Sequence, residues 1–311
     1  MRVLVTDPID EIGIDRLREA GFTVDLAFDL DDGALEPALS GADALVVRSA
    51  TTVSGEVLDA VDELRIIARA GIGVDNIDVE AATRNGVQVV NAPTGGVDAV
   101  AEHTIALAYA LVREIPRLDR QTRDGDWPKG SYAGNELVEQ TLGIIGIGRI
   151  GSAVAETASA LGLDIVGYDP HIVEDDLDIE LVDFDTCLRR ADIVTVHAPL
   201  TEATAGMIDA SALATLGDGY VINCARGGII DETALVEALE TGSLRGAALD
   251  VFEDEPISSD DPLCGNDRTI LTPHVAGSSD RAQRTIAREV ADQVIDALEG
   301  RPVEHPVNDP A

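Results

Sequence analysis

Histidine is the side chain that best discriminates candidates for acid–base chemistry, because the chain of 311 residues has only five histidines against 22 arginines and lysines. His274, in LTPHVAG, follows the last of a series of short apolar runs. In an open parallel sheet, ligands bind at the carboxyl ends of the strands, so this position suits a functional side chain. An imidazole can donate or accept a proton near neutral pH. We therefore interpret His274 as the leading candidate for a general acid or base.

The other four histidines fit structural or cofactor positions better. His103 lies in the apolar helical segment AEHTIAL, where a core or interface imidazole is favoured over a catalytic one. His171 lies after a strand, where we expect the adenosine end of a dinucleotide, and His305 lies in a Pro-rich tail. His197 ends an apolar run in VHAPLTEAT, which favours a cofactor loop over proton transfer.

Arg226 is the best candidate for a substrate-binding cation. It ends another apolar run, in NCARGGIIDE, and the two glycines after it let the chain turn sharply and expose the side chain. A guanidinium so placed can hold the carboxylate and keto oxygen of a 2-oxo acid together. Taken alone, an arginine after a strand is more often a surface residue.

Four carboxylates crowd the segment ALDVFEDEP, at positions 250, 253, 254 and 255. The chain has 58 acidic residues against 22 basic ones, so they could all belong to an acidic surface. Alternatively, one of them works beside the candidate histidine. Composition alone leaves both interpretations open.

A glycine-rich turn predicts a dinucleotide site. Gly146, Gly148 and Gly151 form the pattern G-x-G-x-x-G directly after the apolar run TLGII and before a helical segment. The first glycine permits a tight turn, the second lets backbone approach a pyrophosphate, and the third lets the helix pack on the strand. The helix N-terminus then offers amide donors to the phosphates. The whole loop, with Arg149 and Ile150, is predicted to contact the cofactor.

Asp169 decides which dinucleotide we expect. It ends the next strand, 23 residues after Gly146. A carboxylate there accepts hydrogen bonds from the adenine-ribose hydroxyls and repels a 2′-phosphate, so NAD is expected over NADP. Arg149 could favour a phosphate, but its place inside the glycine loop assigns it to the pyrophosphate.

The elements that must position these residues form two series of short apolar runs alternating with amphipathic segments. The first series occupies residues 2–93 and the second residues 141–274, with a long helical pattern over about 98–122 between them. A final helix is expected over about 280–298. Continuous apolar strands alternating with helices imply parallel sheets covered on both faces. The sequence thus predicts two α/β domains.

Composition bounds the environment and partners. The formal net charge is −36, and Lys129 is the one lysine. Such a surface repels nucleic acid and anionic membranes and is similar to that of proteins from salt-accumulating halophiles. No apolar run is long enough to cross a membrane, and no signal peptide is evident, so a cytoplasmic location is expected. The three cysteines have neither disulfide-framework nor metal-site spacing.

Taken in order along the chain, these motifs resemble the D-2-hydroxyacid dehydrogenase family. The likeness runs through RAGIGVDNID, NAPTGG, AEHTIAL, LGIIGIGRIG, VHAPLTEAT, NCARGGIIDE, ALDVFEDEP and TPHVAG. It implies two Rossmann/flavodoxin-like doubly wound parallel-sheet domains and a homodimer. The NAD domain, residues 99–282, is inserted into a discontinuous substrate domain, residues 1–98 and 283–311.

The resemblance also implies residue roles. Glu255 is the carboxylate paired with the acid/base His274, and Asp250 lies near the nicotinamide amide. In reduction of the keto acid, an imidazolium stabilised by Glu255 protonates the carbonyl oxygen while Arg226 stabilises the developing charge. The remaining implied cofactor contacts are His197, Pro199, Thr204, Cys224, Ala225 and Gly277.

Within the family, the segments ALVVRSATTVSGEVLDA and RAGIGVDNID most resemble the D-3-phosphoglycerate dehydrogenases. That likeness implies that Arg48 holds the substrate phosphate and that the backbone of Ile72 and Gly73 holds the carboxylate. Gly96 departs from that branch, where asparagine is common. The sequence ends at residue 311, so we expect no C-terminal serine-sensing domain.

Two other functions stay open. One is a hydroxypyruvate/glyoxylate reductase or a reductase of broad 2-oxo-acid specificity. The other is a dinucleotide-sensing binding protein similar to the family's transcriptional co-repressors. Lys129, in GDWPKGSY, is either a chance surface residue or a contact to anionic substrate, in the same or the partner subunit.

Overall fold

The computed structural model describes residues 1–28, 30–31, 33–172 and 179–310. The chain separates into two compact units, Met1–Gly96 with Ser278–Ala311 (unit 1) and Val97–Gly277 (unit 2). Each unit is built on one sheet whose paired strands all run parallel. The α/β class with two doubly wound parallel sheets, predicted from the alternating apolar runs, is confirmed.

Unit 1 has a five-stranded sheet with the order β2-β1-β3-β4-β5, which is the flavodoxin-like arrangement. Its strands are β1 (Arg2–Val5), β2 (Thr23–Leu26), β3 (Ala44–Val47), β4 (Ile66–Arg69) and β5 (Gln88–Asn91). The helices between them are α1 (Glu11–Glu19), α2 (Leu35–Leu39), α3 (Gly55–Asp59) and α4 (Val79–Arg84). The loops after β1, β3 and β4 therefore meet at one edge of the sheet.

Unit 2 has a seven-stranded sheet with the order β12-β11-β10-β9-β6-β7-β8. The strands are β6 (Thr141–Ile145), β7 (Asp164–Tyr168), β8 (Glu180–Leu181), β9 (Ile193–Val196), β10 (Tyr220–Asn223), β11 (Gly246–Leu249) and β12 (Thr269–Leu271). The helices are α5 (Val97–Val112), α6 (Ile115–Arg123), α7 (Arg149–Ala160), α8 (Phe184–Arg190), α9 (Ala210–Leu216) and α10 (Glu232–Thr241). The order changes direction at β6, so the crevice for a dinucleotide opens beside the loop after β6.

The long helix expected over about 98–122 is in fact two helices, α5 and α6. The chain turns at Glu114, which adopts a left-handed conformation with φ 51°. Pro116 then occupies the first turn of α6, where a missing backbone N–H is tolerated. The prediction of one continuous helix was wrong because the chain turns at Glu114, and α6 has no buried residue that continues the apolar face of α5.

The C-terminal helix α11 (Asp280–Leu298) returns to unit 1, and its predicted bounds are confirmed. It begins at Ser279, whose hydroxyl accepts the Ala282 amide. Gly13 of α1 lies so close that a Cβ there would stand 2.6 Å from the carbonyl oxygen of Ala287. The helix thus packs against α1 through a glycine contact, and its apolar residues are buried together with strand residues of the unit 1 sheet.

The core of unit 2 lies on both faces of its sheet. Ile193 and Ile222 are buried in the cluster on one face, whereas Val194 and Val221 are buried in the cluster on the other. Neighbouring side chains of a strand point to opposite faces, so a continuously apolar strand fills both layers. Burial of each such side chain stabilises the fold by roughly 1.5–3 kcal/mol.

Candidate active site

The glycine turn of unit 2 is shaped to hold a pyrophosphate. Gly146 has φ 92°, and a Cβ there would stand 2.7 Å from the backbone of His197. A Cβ on Gly151 would stand 2.0 Å from the carbonyl oxygen of Gly146, so α7 packs directly on the turn. Gly148, the N-cap of α7, faces open space and supplies no capping side chain. The first amides of α7 are therefore left for an anion.

Asp169 is fixed beside this turn. One carboxylate oxygen accepts the amide of Ile147 at 2.9 Å, and the other accepts the amide of His171 at 2.9 Å. Each oxygen keeps a further acceptor position, so both can still bind ribose hydroxyls. The residues present fit NAD. The hydrogen bond from Ile147 holds the carboxylate of Asp169, which would bind the ribose, next to the glycine turn that would bind the pyrophosphate.

The loop after β9 is fastened by its own side chains. Thr204 Oγ1 donates to the Pro199 carbonyl at 2.6 Å and accepts the amide of Thr201 at 2.8 Å. His197 Nε2 lies 2.9 Å from Thr195 Oγ1, and its Nδ1 is buried with no partner among the described residues. Burial lowers the pKa of His197 to about 3. This imidazole is therefore neutral.

The turn that carries Arg226 is held by a buried side chain that the sequence analysis missed. Asn223 is 2 % exposed; its Oδ1 accepts the amide of Ala225 and its Nδ2 donates to the carbonyl of Arg226. A Cβ on Gly227 would stand 1.8 Å from the carbonyl oxygen of Phe252. Only glycine lets this turn pack against the backbone of the acidic segment.

Glu255 and His274 form a direct pair. His274 Nδ1 lies 2.7 Å from Glu255 Oε2, and Glu255 Oε1 accepts the amide of Phe252 at 3.1 Å. Both side chains are about one-third exposed or a little more, at 39 % and 36 %, so a ligand can approach the imidazole from solvent. His274 itself has φ 54°, a conformation that favours glycine and is often found at functional positions.

Asp250 anchors the loop that carries His274. The residue is 0 % exposed and its carboxylate accepts the Thr272 hydroxyl at 2.6 Å and the amides of Val275 and Ala276 at 2.9 and 2.8 Å. Its carbonyl accepts the amide of His274 at 2.8 Å. A contact of this residue to nicotinamide stays a prediction, and the role that its hydrogen bonds show is to fix the backbone on both sides of the imidazole.

His103 also reaches this cluster. Its Nε2 lies 3.2 Å from Thr272 Oγ1 and 3.7 Å from the nearer Asp250 oxygen. His103 is thus a structural neighbour of the His274 loop.

Two of the residues expected to contact the cofactor lie close against other parts of unit 2. Cys224 is 8 % exposed, and a Cβ on Gly277 would stand 3.9 Å from Val100.

The acidic surroundings of Glu253 suggested a surface residue without partners, but this exposed side chain has specific contacts. Its amide donates to Glu232 Oε1 at 2.8 Å, and its own carboxylate accepts the Glu232 amide at 3.4 Å. This reciprocal contact ties the acidic segment to the start of α10.

In unit 1, the candidate substrate residues lie in loops that leave the carboxyl ends of β3 and β4. Arg48 is half-buried and follows β3 directly. The carbonyl of Ile72 accepts Asn91 Nδ2 at 2.6 Å, which fixes the turn that also contains Gly73. Lys129, in unit 2, is exposed in a 3-10 turn.

Arg69 is a further cation at this edge, which the sequence analysis passed over. It is the last residue of β4, and its Nη1 lies 1.5 Å from the place that a Cβ on Gly71 would take. Position 71 must therefore be glycine for the guanidinium to lie across the turn. The signal was available in RAGIG, where an arginine ends a buried strand directly before a glycine turn.

Among the described residues, no group of His, Cys, Asp and Glu is arranged to hold a metal ion. The described part of the chain also contains no helix that is long and apolar enough to span a membrane.

A family model for the D-isomer specific 2-hydroxyacid dehydrogenase NAD binding domain matches residues 105–276, which is more than half of the chain. The protein therefore belongs to the D-isomer-specific 2-hydroxyacid dehydrogenase family. The matched segment contains the glycine turn, Asp169 and the Arg226, Glu255 and His274 cluster.

Individual members of the family and solved structures are also similar to this chain. The chain is 43 % identical to D-3-phosphoglycerate dehydrogenase of Archaeoglobus fulgidus over 315 residues, which cover 100 % of this chain and 60 % of that protein. A crystal structure of a Thermus thermophilus protein has a TM-score of 0.93 at 33 % identity, covering 99 % of this chain and 100 % of that one. The Sinorhizobium meliloti NADPH-dependent glyoxylate/hydroxypyruvate reductase, solved with NADP and malonate, has a TM-score of 0.88 at 29 % identity, with 98 % and 96 % coverage.

Proposed function

We propose that the protein is an NAD-dependent D-2-hydroxyacid dehydrogenase whose substrate is D-3-phosphoglycerate. The observation that carries this proposal is the Glu255–His274 pair, at 2.7 Å, in the same unit as the glycine turn and Arg226. The likeness to the Archaeoglobus fulgidus enzyme supports the choice of substrate. Because the chain spans 60 % of that relative, its activity needs direct measurement.

The side chains account for the proton and the substrate charge. When bound, NAD supplies the hydride acceptor in oxidation and the hydride donor in reduction. Glu255 engages Nδ1 of His274, so Nε2 takes the hydroxyl proton of the hydroxy acid and returns it to the carbonyl oxygen in reverse. Arg226 binds the carboxylate and stabilises negative charge that develops on the reacting oxygen.

We propose NAD as the preferred cofactor because Asp169 would lie against a 2′-phosphate. Asp169→Ala should lower the preference for NAD(H) over NADP(H), with the largest change in KM for NAD(H). Equal kcat/KM with both cofactors in the unmodified protein would contradict this part of the proposal.

We also propose unit 1 as the substrate-binding unit and unit 2 as the NAD-binding unit. Arg48 would hold the phosphate, and the backbone of Ile72 and Gly73 would hold the carboxylate, with Arg69 adding positive charge beside that turn. With these residues, a phosphorylated substrate should have a higher kcat/KM than its unphosphorylated analogue.

The deciding experiment is a substrate panel in molar KCl. The kcat/KM values for 3-phosphoglycerate, hydroxypyruvate, glyoxylate and 2-ketoisocaproate should be measured with NAD(H) and NADP(H). A preference for hydroxypyruvate or glyoxylate would favour the reductase alternative, which the Sinorhizobium meliloti structure supports. Absence of turnover in both directions over the whole panel would favour a dinucleotide-sensing binding protein.

Two further proposals concern the oligomeric state and the cellular surroundings, and a third concerns Lys129. We propose a homodimer in the cytoplasm of a salt-accumulating cell, supported by the family resemblance and the net charge of −36. Light scattering in molar KCl should give twice the mass of the chain. Lys129→Ala tests whether the one lysine contacts substrate; unchanged KM values for every substrate would end that idea.

A further inference from the structure

Unit 1 contains a buried aspartate to which neither the family match nor the proposed chemistry gives a role. Asp7 follows β1 and is 4 % exposed. A charge buried to this degree needs hydrogen-bond partners. The partners of Asp7 therefore indicate which part of the structure this residue holds. A buried aspartate of unit 2, Asp250, fixes the loop that carries His274.

Asp7 binds the loop that begins with Arg48. Its Oδ2 accepts the backbone amides of Arg48 and of Thr51, at 2.5 and 3.2 Å. Its Oδ1 accepts the hydroxyl of Thr51 at 2.8 Å, and that hydroxyl also contacts Thr6 Oγ1 at 2.9 Å. One carboxylate thus closes both ends of the four-residue loop 48–51.

The same loop is held from its other side. Asn76 Nδ2 donates to the carbonyls of Arg48 and Thr51, at 2.8 and 2.6 Å. The carbonyl of Pro8, next to Asp7 in the chain, accepts Arg48 Nη1 at 3.4 Å. The backbone of Arg48 and its guanidinium are therefore both oriented by residues 7 and 8.

We propose that Asp7 is a positioning residue that sets the specificity of the protein for a phosphorylated substrate by orienting Arg48. The inference rests on the proposed function, in which Arg48 holds the substrate phosphate. Binding through Arg48 requires an ordered loop as well as an ordered side chain, and a backbone that is fixed in advance removes the cost of ordering the loop. The amide bonds to Asp7 supply this fixed backbone.

Asp7 differs from a residue that only stabilises the fold, because its action is confined to one loop. Its removal should weaken recognition of the phosphate and leave the Glu255–His274 chemistry of unit 2 intact. The expected signature is an increase in KM for a phosphorylated substrate, with kcat nearly unchanged.

The test compares phosphohydroxypyruvate with hydroxypyruvate, which lacks only the phosphate, in NADH-dependent reduction in molar KCl. Asp7→Asn keeps the size of the side chain and removes one of its two acceptor oxygens. We expect KM for phosphohydroxypyruvate to rise about tenfold or more. The kcat for phosphohydroxypyruvate and the kcat/KM for hydroxypyruvate should change by less than about threefold.

Two variants of Thr51 keep the inference testable if Asp7→Asn folds poorly. Thr51→Val removes the hydroxyl donor and should shift KM in the same direction by a smaller factor, whereas Thr51→Ser should retain the normal KM. Asp10→Asn is the matched control, since Asp10 lies in the same loop as Asp7 but accepts the amide of Ile12 at the start of α1. Thermal unfolding of each variant reports whether it is folded.

A double variant separates the inference from the proposal beneath it. If Asp7 acts through Arg48, Asp7→Asn combined with Arg48→Gln should have the same KM as Arg48→Gln alone. A strong effect of Arg48→Gln with none from Asp7→Asn, or equal loss for both substrates, overturns the inference only. An unchanged KM in Arg48→Gln overturns the assignment of Arg48 to phosphate, and the inference with it.

Discussion

His197 gives a quantitative prediction about pH, because its imidazole is held away from water. Burial lowers the pKa of His197 from 6.5 to about 3, since an imidazolium ion would lose its hydration there. Its Nδ1 is buried without a partner among the described residues, and Nε2 contacts Thr195. The folded protein therefore keeps this ring neutral at mildly acidic pH.

The direction of the pH effect follows from the two pKa values. The unfolded chain binds a proton at His197 near pH 6.5, whereas the folded chain resists protonation until about 3. The unfolded state binds more protons between these values, so stability is intact above 6.5 and is lost as the pH falls through this window. Linkage gives a loss of about 2 kcal/mol in the free energy of unfolding between about pH 7 and about pH 5.

His197→Gln tests this value, because glutamine does not titrate and can still reach Thr195. Urea unfolding of both proteins at constant salt gives the free energy of unfolding at each pH. The unmodified protein should lose about 2 kcal/mol more than the variant between the two pH values. The same substitution at exposed His171 is the matched control. A stability difference between the unmodified protein and the His197→Gln variant that is the same at both pH values would refute the reasoning.

Three substitutions test the reacting cluster of unit 2. His274→Gln should lower kcat by about 10²–10⁴ with a modest effect on KM, and an unchanged kcat would remove its assignment as acid/base. Gly227→Ala places a Cβ against the Phe252 carbonyl, so kcat/KM should fall about tenfold or more as the Arg226 turn moves; normal kinetics would contradict that packing. Asp250→Asn removes an acceptor from the amides it binds, and urea unfolding should show a loss of about 1–3 kcal/mol, with reduced kcat. Normal stability and kcat would show that the anchor is dispensable.

The strands were largely predictable because both parallel sheets are buried on two faces, which produces continuous apolar runs. The strands that were missed are the edge strands β2 and β8. Residues 23–26 are TVDL, with both end residues exposed, and β8 has only two residues. The strands β5 and β12 also lie at sheet edges and were predicted, so the polar residues within β2 and the shortness of β8 removed the apolar signal, and not the edge position alone.

Local spacing explains which parts of the site could be predicted. The glycine turn needs its three glycines at fixed distances along the chain, so the sequence displays it completely. Asn223 acts within three residues of itself, yet it looked like an ordinary strand residue because its partners are backbone groups. Asp250 was expected near the nicotinamide, but the anchoring contacts of Asp7 and Asp250 could not be predicted, for a different reason. Their donors lie 41–44 and 22–26 residues away, and only the parallel register of the sheets brings them together.

The four carboxylates of the acidic segment show how the fold distinguishes side chains of the same type. Asp250 is buried and saturated by loop donors, Glu255 is half-exposed against His274, and Glu253 exchanges bonds with Glu232. These three side chains carry the same functional group and differ in their burial and in the partners that the fold brings to them. A chain can therefore carry 58 acidic residues and keep its site distinct, because burial and several converging donors distinguish Asp250 and the contact with His274 distinguishes Glu255. The same reasoning makes Asp7 the acidic residue of unit 1 whose loss should be felt most at the substrate.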